Sequence, residues 1–477
     1  MIERIKELEE LSKSLEPDKI TREKWMAVWN AYLNQFMDGM ADQPAYRQGE
    51  VKKLKSIQIT DEPKPIGELL ELFEHEINYF GVNPASGGHL GYIPGGGIFS
   101  SSLGDQMAAV SNRYAGIFFS NPGAVIMENQ LIRWMCDVMG YPTTAHGNIT
   151  SGGSIANLIA MVTARDQYQL NRHNIHQAVI YTTEQVHHCI HKAVRIAGLA
   201  ECVARTVPMD KSYRMDVTLL ANMIQDDLQA GLRPFMLIGS AGTTDTGAVD
   251  PLDAMADLAE KHRIWFHIDA AYGGFFNLLD QCKPLLKGIE RSDSLAIDPH
   301  KGLFLPYGTG AALFKNVQAV LDSHHYRAHY MQDAFDIESD ELNPCDLSPE
   351  LTKHFRGPRM WVPLHLHGLM PFKAALEEKI LLCRYFYREI QQLGFEVGPY
   401  PMLSITIFRY VPPFDDANAF NNRLVEALHA DGRVFFSSTR IDGIVWIRCA
   451  VLGFRTHRQI VDKGIKMIQE VLDRLIG

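Results

Sequence analysis

The stretch HIDAAYGG, residues 267–274, marks the point at which a predicted strand ends and a turn begins. It overlaps an apolar run, residues 264–268 (IWFHI), so that Asp269 stands at the end of a strand and two alanines follow it. The alanines leave room beside the carboxylate for a flat ring. An aspartate that merely caps the strand would give the same pattern, so this stretch alone leaves both interpretations open.

Strands of this kind recur along the chain and alternate with helical patterns such as residues 155–170 and 252–262. The apolar runs are residues 178–182, 234–239, 264–268, 295–297 and 311–314. This alternation predicts an α/β fold with a mostly parallel central sheet that is covered on both faces. Ligands of such open sheets bind beyond the carboxyl ends of the strands, so the residues that follow each strand are the candidates for chemistry.

The 477 residues are too many for one simple core, and the patterns suggest three parts. Residues 1–85 are predicted to be helical and to pack in a core or a dimer, because apolar residues recur there at helical spacing. Residues 86–360 form the predicted large domain, which includes a mobile loop at about 320–345. Residues 361–477 predict a smaller C-terminal α+β domain.

Composition and charge exclude several classes of protein. The formal net charge is −10 and no long basic run occurs, so nucleic-acid binding has no electrostatic support. No window approaches about 20 uninterrupted apolar residues, and residues 1–13 lack the apolar core of a signal peptide. The seven cysteines are scattered without a C-x-x-C pair, which favours free thiols in a reducing, cytoplasmic compartment.

Two segments before residue 200 carry candidate ligand-binding groups. Residues 150–154 (TSGGS) precede a strong helix, and the amides around Gly153 and Ser154 could bind an anion at its N-terminus. His187 follows a predicted strand and could lie flat on an aromatic ligand. Together with His188 and His191 it could instead bind a metal, but no carboxylate or thiolate stands at a firm motif spacing, so we predict no metal.

Lys301 is the candidate nucleophile. It follows the predicted strand at residues 295–297 and lies about thirty residues after Asp269. Four groups are needed to hold pyridoxal 5′-phosphate (PLP). They are an anion-binding helix N-terminus, an imidazole, a carboxylate for a protonated pyridine nitrogen, and an amine. The segment at residues 242–247 (GTTDTG) adds hydroxyl and amide groups that suit a polar ligand.

Residues 181–187, 242–250, 267–274 and 298–301 resemble the group II PLP-dependent amino-acid decarboxylases, which include the aromatic-L-amino-acid and glutamate decarboxylases. The resemblance extends over nearly the whole chain. It implies PLP fold type I, the aspartate aminotransferase-like fold, and a homodimer with active sites at the interface and interlocking N-terminal helices. The activity that it implies is decarboxylation of an L-amino acid to the primary amine and CO2.

The resemblance also implies a role for each matching residue. Lys301 would form the Schiff base with the cofactor, Asp269 would pair with the pyridine nitrogen, and His187 would stack on the ring. The remaining implied contacts are Gly153, Ser154 and His300 to the phosphate, Thr244 near the 3′ oxygen, Ala271 on the second face of the ring, and Asp250 in the supporting polar network.

Tyr330 has the spacing of a loop tyrosine that family decarboxylases carry upstream of the Trp361 motif. The resemblance implies that it protonates Cα after CO2 leaves, with Tyr326 as the rival on the same loop. An ordinary exposed tyrosine is the alternative. The presence of Tyr330 argues against an aldehyde-forming variant, whose loop usually lacks this residue.

The substrate is less closely defined by the sequence. Tyr92 and Ile93, with Phe118 and Phe119, favour an aromatic or bulky L-amino acid, while Arg448 is a candidate for the substrate carboxylate or for a structural salt bridge. An acidic or diamino acid stays possible. The sequence also leaves open an aminotransferase or another PLP-dependent activity on this fold, a metalloprotein, and a non-catalytic homologue.

Overall fold

The computed structural model describes residues 1–49, 57–93, 95–325, 340–413 and 415–477. The description that follows concerns these residues. Tyr326 and Tyr330 lie outside them, so their predicted role in proton transfer stays a prediction.

A seven-stranded sheet forms the centre of the large domain, in the order β3-β9-β8-β7-β6-β4-β5. β4 to β8 run parallel to one another, and β9 lies antiparallel between β3 and β8. The carboxyl ends of β3, β4, β6, β7 and β8 therefore meet at one edge. The strands are β3 (His146–Thr150), β4 (Ala178–Thr182), β5 (Val203–Thr206), β6 (Arg233–Ser240), β7 (Trp265–Asp269), β8 (Ser294–Ile297) and β9 (Gly310–Phe314).

The five predicted strands of this sheet are confirmed, whereas β3 and β5 were not predicted. β3 has the sequence HGNIT, in which a single aliphatic residue, Ile149, gives little apolar signal. β5 is an edge strand whose residues alternate between half-buried and exposed. Two of its four residues, Arg205 and Thr206, are polar, so the sequence shows no apolar run there. Both strands owe their conformation to pairing with neighbours that a local pattern does not reveal.

Helices cover both faces of the sheet, because consecutive residues of a strand point to opposite sides. Val179 of β4 packs in one core cluster and Ile180 in the other. Helices α5, α8 and α9 contribute to the first cluster, and α6, α7 and α11 to the second. The helices of this part are α4 (Phe99–Ser111), α5 (Pro122–Val138), α6 (Gly153–Gln167), α7 (His188–Ile196), α8 (Val217–Gln229), α9 (Leu252–His262), α10 (Pro299–Gly302) and α11 (Val317–His324).

The C-terminal part has an antiparallel sheet in the order β10-β11-β13-β12, with its own apolar core. Its strands are β10 (Glu396–Val397), β11 (Ile405–Arg409), β12 (Ser437–Ile441) and β13 (Ile444–Ala450). The last helices are α12 (Gly357–His367), α13 (Met370–Gln392), α14 (Ala417–Asp431) and α15 (Arg458–Ile476). The predicted boundary at residue 361 falls inside α12. In addition, Leu90, predicted in the large domain, exchanges backbone hydrogen bonds with Phe435 and Ala450 of the small one.

The N-terminal region contains α1 (Ile2–Ser12), α2 (Lys19–Asp38) and α3 (Ile66–Leu72), with a small β1–β2 pair, Tyr46–Arg47 and Gly81–Val82. None of the residues of α1 or α2 is buried within the chain. Most of the apolar stripe predicted there is exposed in the isolated chain, and only Leu33 and Phe36 of it are half-buried. Among the described residues, no helix combines the length and apolar character that a membrane crossing requires.

A buried ion pair connects the segment after residue 340 to the large domain. Lys353 Nζ lies 2.9 Å from Glu128 Oε2, and the two side chains are 0% and 2% exposed. Lys353 also donates to Asn148 Oδ1 at 2.8 Å, and Glu128 Oε1 accepts from the backbone N–H of Gly357 at 3.0 Å. The pair thus joins α5, β3 and the start of α12.

Replacing Lys353 with Met should lower the free energy of unfolding by about 3 kcal/mol, because the Glu128 carboxylate would stay buried without its counter-charge. Urea denaturation of the full chain measures this loss. The pair of Asp280 and Lys283, whose side chains are 91% and 59% exposed, offers a control, since Asp280→Asn should leave the stability nearly unchanged. Equal effects of the two substitutions would contradict the interpretation of the buried pair.

Candidate active site

A cavity of about 470 Å³ opens at the carboxyl edge of the central sheet. Its walls come from the loops that follow β3, β4, β6, β7 and β8, and from the first turns of α6 and α10. The cavity brings together the predicted residues Gly153, Ser154, His187, Thr244, Asp269, Ala271, His300 and Lys301. They are far apart in sequence and meet because parallel strands end on the same side.

Asp269 is the last residue of β7, and its side chain lies at the wall of the cavity, with the residue 9% exposed. Its Oδ1 accepts a hydrogen bond from the Ala271 N–H at 3.1 Å, and its Oδ2 accepts one from Asn157 Nδ2 at 3.3 Å. Each oxygen therefore has a donor within the protein. A carboxylate oxygen has room for more than one hydrogen bond, so Asp269 can accept a further one from a protonated ring nitrogen.

Lys301 lies in the short helix α10, whose first residue, Pro299, starts the turn directly after β8. Its Nζ lies 3.1 Å from Asp298 Oδ2. Burial lowers the pKa of Lys301, but the carboxylates of Asp298 and Asp269 outweigh that effect, so that the pKa is raised overall. The amine is thus held as a cation by two acidic neighbours until a ligand alters this balance.

The N-terminus of α6 lies at one end of the cavity. A Cβ added at Gly153 would lie 3.1 Å from Asp298 Oδ2 and 3.3 Å from Ala271 Cβ, so a larger residue would crowd this end. His300 stands beside it, with Nδ1 donating to the backbone carbonyl of Thr309 at 2.7 Å. The free N–H groups of a helix's first turn and the helix dipole favour an anion such as a phosphate at this point.

His187 caps the N-terminus of α7, where its Nδ1 accepts a hydrogen bond from the Cys189 N–H at 3.3 Å. Burial lowers the pKa of His187 more than the charge of Asp269 raises it. A neutral ring with an accepting Nδ1 carries its proton on Nε2. The described residues contain no group of three His, Cys, Asp or Glu side chains that could hold a metal ion.

Arg448 and the aromatic candidates lie outside the cavity lining. Arg448 is buried and donates to the carbonyl oxygens of Thr244, Asp245 and Gly91 and to Ser437 Oγ. No side-chain carboxylate is among these partners, and two of the bonds tie Arg448 to the loop that carries Thr244. Tyr92 is 55% exposed and Ile93 packs in the core. Neither is among the residues that line the cavity around Lys301 and Asp269.

Asp250 also acts at a distance from the cavity. Its two carboxylate oxygens accept the backbone N–H groups of Met215 and Ser240, each at 2.8 Å. Burial raises its pKa to about 6 even though both hydrogen bonds lower it. Asp250 therefore fixes the end of β6, from which the loop with Thr244 begins.

Asn157, Gln185 and Asp298 are among the residues of the cavity lining to which sequence reasoning assigned no role. Asn157 stands four positions after Gly153, which places both on one face of α6, so the helical period was a usable signal. Asp298 lies in the DPHK segment already noted for Lys301. Gln185 offers no such signal, since a polar residue between a strand and a helix is ordinary.

Residues 49–411 match the conserved domain of the pyridoxal-dependent decarboxylases. The chain belongs to this family. Its relatives include the aromatic-L-amino-acid decarboxylase of Bacillus atrophaeus, which is 32% identical over 372 residues, with 77% of each chain covered. The phenylacetaldehyde synthase of Arabidopsis thaliana is 25% identical over 462 residues, covering 93% of this chain and 94% of that protein.

Solved structures agree on the fold. The tryptophan decarboxylase of Catharanthus roseus, in complex with L-tryptophan, superposes with a TM-score of 0.89 at 22% identity, covering 96% of this chain and 99% of that one. The fold is therefore PLP fold type I, as predicted. With the family, this makes the protein a PLP-dependent enzyme of the decarboxylase class of lyases.

The residues of the cavity fit PLP independently of the similarity to known proteins. Gln185 Oε1 and Asp298 Oδ1 are buried in its wall without a hydrogen-bond partner among the described residues, and buried polar atoms of this kind require one. The helix N-terminus suits a phosphate, the carboxylate of Asp269 suits a pyridinium nitrogen, and the amine of Lys301 suits a carbonyl carbon. These three groups line one cavity.

Replacing Asp298 with Asn should lower the pKa of Lys301, because a carboxylate 3.1 Å from Nζ would be removed. Only the neutral amine attacks a carbonyl carbon, so the rate of PLP capture by cofactor-free protein should reach half its maximum at a lower pH than in the wild type. Stopped-flow absorbance of the Schiff base across pH measures the midpoint. Asp280→Asn, at a side chain that is 91% exposed, is the control and should leave it in place. An unchanged or higher midpoint for the Asp298 variant would contradict the assignment.

Proposed function

We propose that this enzyme decarboxylates an aromatic or bulky L-amino acid and releases the primary amine and CO2. The observation that carries the proposal is the meeting of Lys301, Asp269 and the α6 N-terminus in one cavity of a chain that belongs to the decarboxylase family. The relative from Bacillus atrophaeus, an aromatic-L-amino-acid decarboxylase, supports the substrate class.

The proposed roles follow from the position of each group. Bound PLP supplies an electron-accepting pyridinium ring. Lys301 Nζ would bind the cofactor covalently between turnovers, and Asp269 would accept a hydrogen bond from the ring nitrogen and so stabilise its positive charge. The amides of Gly153 and Ser154, with His300, would hold the phosphate, and His187 and Ala271 would contact the ring.

The charge of the cavity wall supports an uncharged substrate side chain. Among the described lining residues, Lys301 is the single Lys or Arg, and its amine is assigned to the cofactor. A second carboxylate, as in an acidic amino acid, would need a further cation to offset its desolvation. The acidic alternative therefore has less support than the aromatic one.

Aldehyde formation is the second candidate, since one of the relatives is a phenylacetaldehyde synthase. Tyr330 argues against it on the sequence, because aldehyde-forming members usually lack a tyrosine at this point of the loop. A tyrosine hydroxyl at Cα would instead donate the proton that completes an amine product.

The full-length enzyme loaded with PLP should convert L-tryptophan, L-tyrosine or L-phenylalanine to the matching amine with one equivalent of CO2. Amine detection by chromatography, together with CO2 and hydrogen peroxide assays on the same samples, identifies the reaction. L-Glutamate and L-2,4-diaminobutyrate serve as the comparison substrates. An aldehyde with peroxide, a keto acid, or turnover confined to the comparison substrates would contradict the proposal.

Replacing Tyr330 with Phe should slow release of the amine by roughly 10²- to 10⁴-fold, which is the usual contribution of a general acid. Affinity for PLP should not change, because the cofactor contacts proposed above involve other residues. Tyr326→Phe is the matched control on the same loop, and the two variants are compared by product release and PLP titration. The opposite ranking would give the role of proton donor to Tyr326.

We also propose that the enzyme works as a homodimer. The apolar residues of α1 and α2 support this, since Ile2, Leu11 and Ile20 are 70%, 73% and 63% exposed in the single chain. Exposed apolar surface of this extent on two successive helices usually marks a protein interface. The seven free cysteines support a reducing, cytoplasmic location.

A further inference from the structure

A row of buried polar side chains runs from β8 through β7 and α6 to Asp269. Trp265 Nε1 and His267 Nδ1 each lie 2.8 Å from Ser294 Oγ. On the other side of the imidazole, His267 Nε2 lies 2.6 Å from Asn157 Oδ1. Asn157 Nδ2 then lies 3.3 Å from Asp269 Oδ2. His267, Ser294 and Asn157 are each 0% exposed, so water does not compete for these bonds.

The Asp269 end of this row and a neutral imidazole together fix the direction of its hydrogen bonds. An ionised Asp269 can only accept, so the amide N–H of Asn157 faces it. The carbonyl oxygen of Asn157 must then face His267, whose Nε2 carries the proton. At the other end, the indole of Trp265 can only donate, so Ser294 Oγ accepts from it. Ser294 gives its own proton to His267 Nδ1, because Nε2 is the ring nitrogen that carries the proton.

A neutral imidazole suits this arrangement, because it has one donating and one accepting nitrogen. Burial lowers the pKa of His267 to about 4, although the charge of Asp269 raises it in part. The ring is therefore neutral at physiological pH. A flipped amide would put the Asn157 oxygen against the carboxylate of Asp269, and the tautomer of His267 opposes that flip.

We propose that His267 is a positioning residue of the cofactor site, which acts through Asn157 to hold the carboxylate of Asp269 toward the ring nitrogen of PLP. The proposal rests on the role of Asp269 in the function proposed above. Asn157 belongs to α6, the helix whose N-terminus lies at one end of the cavity. The row of hydrogen bonds thereby also fixes Asp269 relative to that end.

The test compares PLP with an analogue in which a CH group replaces the ring nitrogen, since only PLP can donate to Asp269. Equilibrium titrations of the full, cofactor-free chain give both dissociation constants. The wild type should prefer PLP. His267→Phe should weaken PLP binding by roughly tenfold or more, because a hydrogen bond to a charged group loses its support, while analogue binding stays nearly the same.

Further variants separate positioning from packing. Asn157→Leu, which is close in volume, should lose the same preference for PLP, and His267→Phe should add nothing in that background. Thr163→Val is the matched control, since Thr163 is a 0% exposed polar residue of α6 outside the row. It should keep the full preference. If His267→Phe does not fold, Ser294→Ala tests the same idea, since it leaves the imidazole but frees its tautomer.

Two results would overturn the proposal in distinguishable ways. If the wild type prefers PLP over the analogue and the His267, Asn157 and Ser294 variants keep that preference, His267 has only a packing role. If the wild type itself binds both compounds equally, Asp269 does not pair with the ring nitrogen, and the role on which the proposal rests fails with it. An equal loss of affinity for both compounds would also indicate packing alone.

Discussion

The carboxylate of Asp269 is almost fully withdrawn from water, and an ionised carboxylate in that position is stable only if donors reach its oxygens. The surrounding structure supplies them from two directions, the turn at Ala271 and the helix α6 through Asn157. Much of the cavity follows from this requirement. α6 must pack across the sheet close to the end of β7, and its N-terminus then opens at the same edge.

The amine of Lys301 also needs partners inside the protein. Lys301 is held between acidic groups, and its closest partner is Asp298 at the start of α10. The cavity thus contains two charged groups. Lys301, with Asp298 beside it, follows β8, and Asp269, whose oxygens accept hydrogen bonds, ends β7. β7 and β8 are neighbours in the sheet, which is why two residues 32 positions apart in the numbering line one cavity. A cofactor that presents both a carbonyl carbon and a ring nitrogen can engage both groups.

Sequence reasoning reached most of this arrangement because strand ends are visible in local patterns. The runs at residues 178–182 and 295–297, and the helix at residues 252–262, match the observed elements closely. Sequence reasoning failed where a strand or a side-chain role depends on tertiary contacts. β3 and β5 depend on pairing with neighbouring strands. Most partners of Arg448 are main-chain carbonyl oxygens, which a residue pattern does not indicate. The role of His267 was likewise not visible in the sequence, since its chain of bonds joins three elements, whereas Asn157 had a usable signal in its helical spacing from Gly153.

The central claim is that Lys301 is the residue to which the cofactor is bound, within reach of Asp269. Reduction of the PLP-loaded enzyme with borohydride, followed by peptide mass spectrometry, tests it directly, because it converts a Schiff base into a stable phosphopyridoxyl lysine. The account predicts that the modification lies on Lys301 and that Lys353 and Lys379, the buried lysines among the described residues, carry none. Modification of a different lysine, or none in enzyme that has bound PLP, would contradict it.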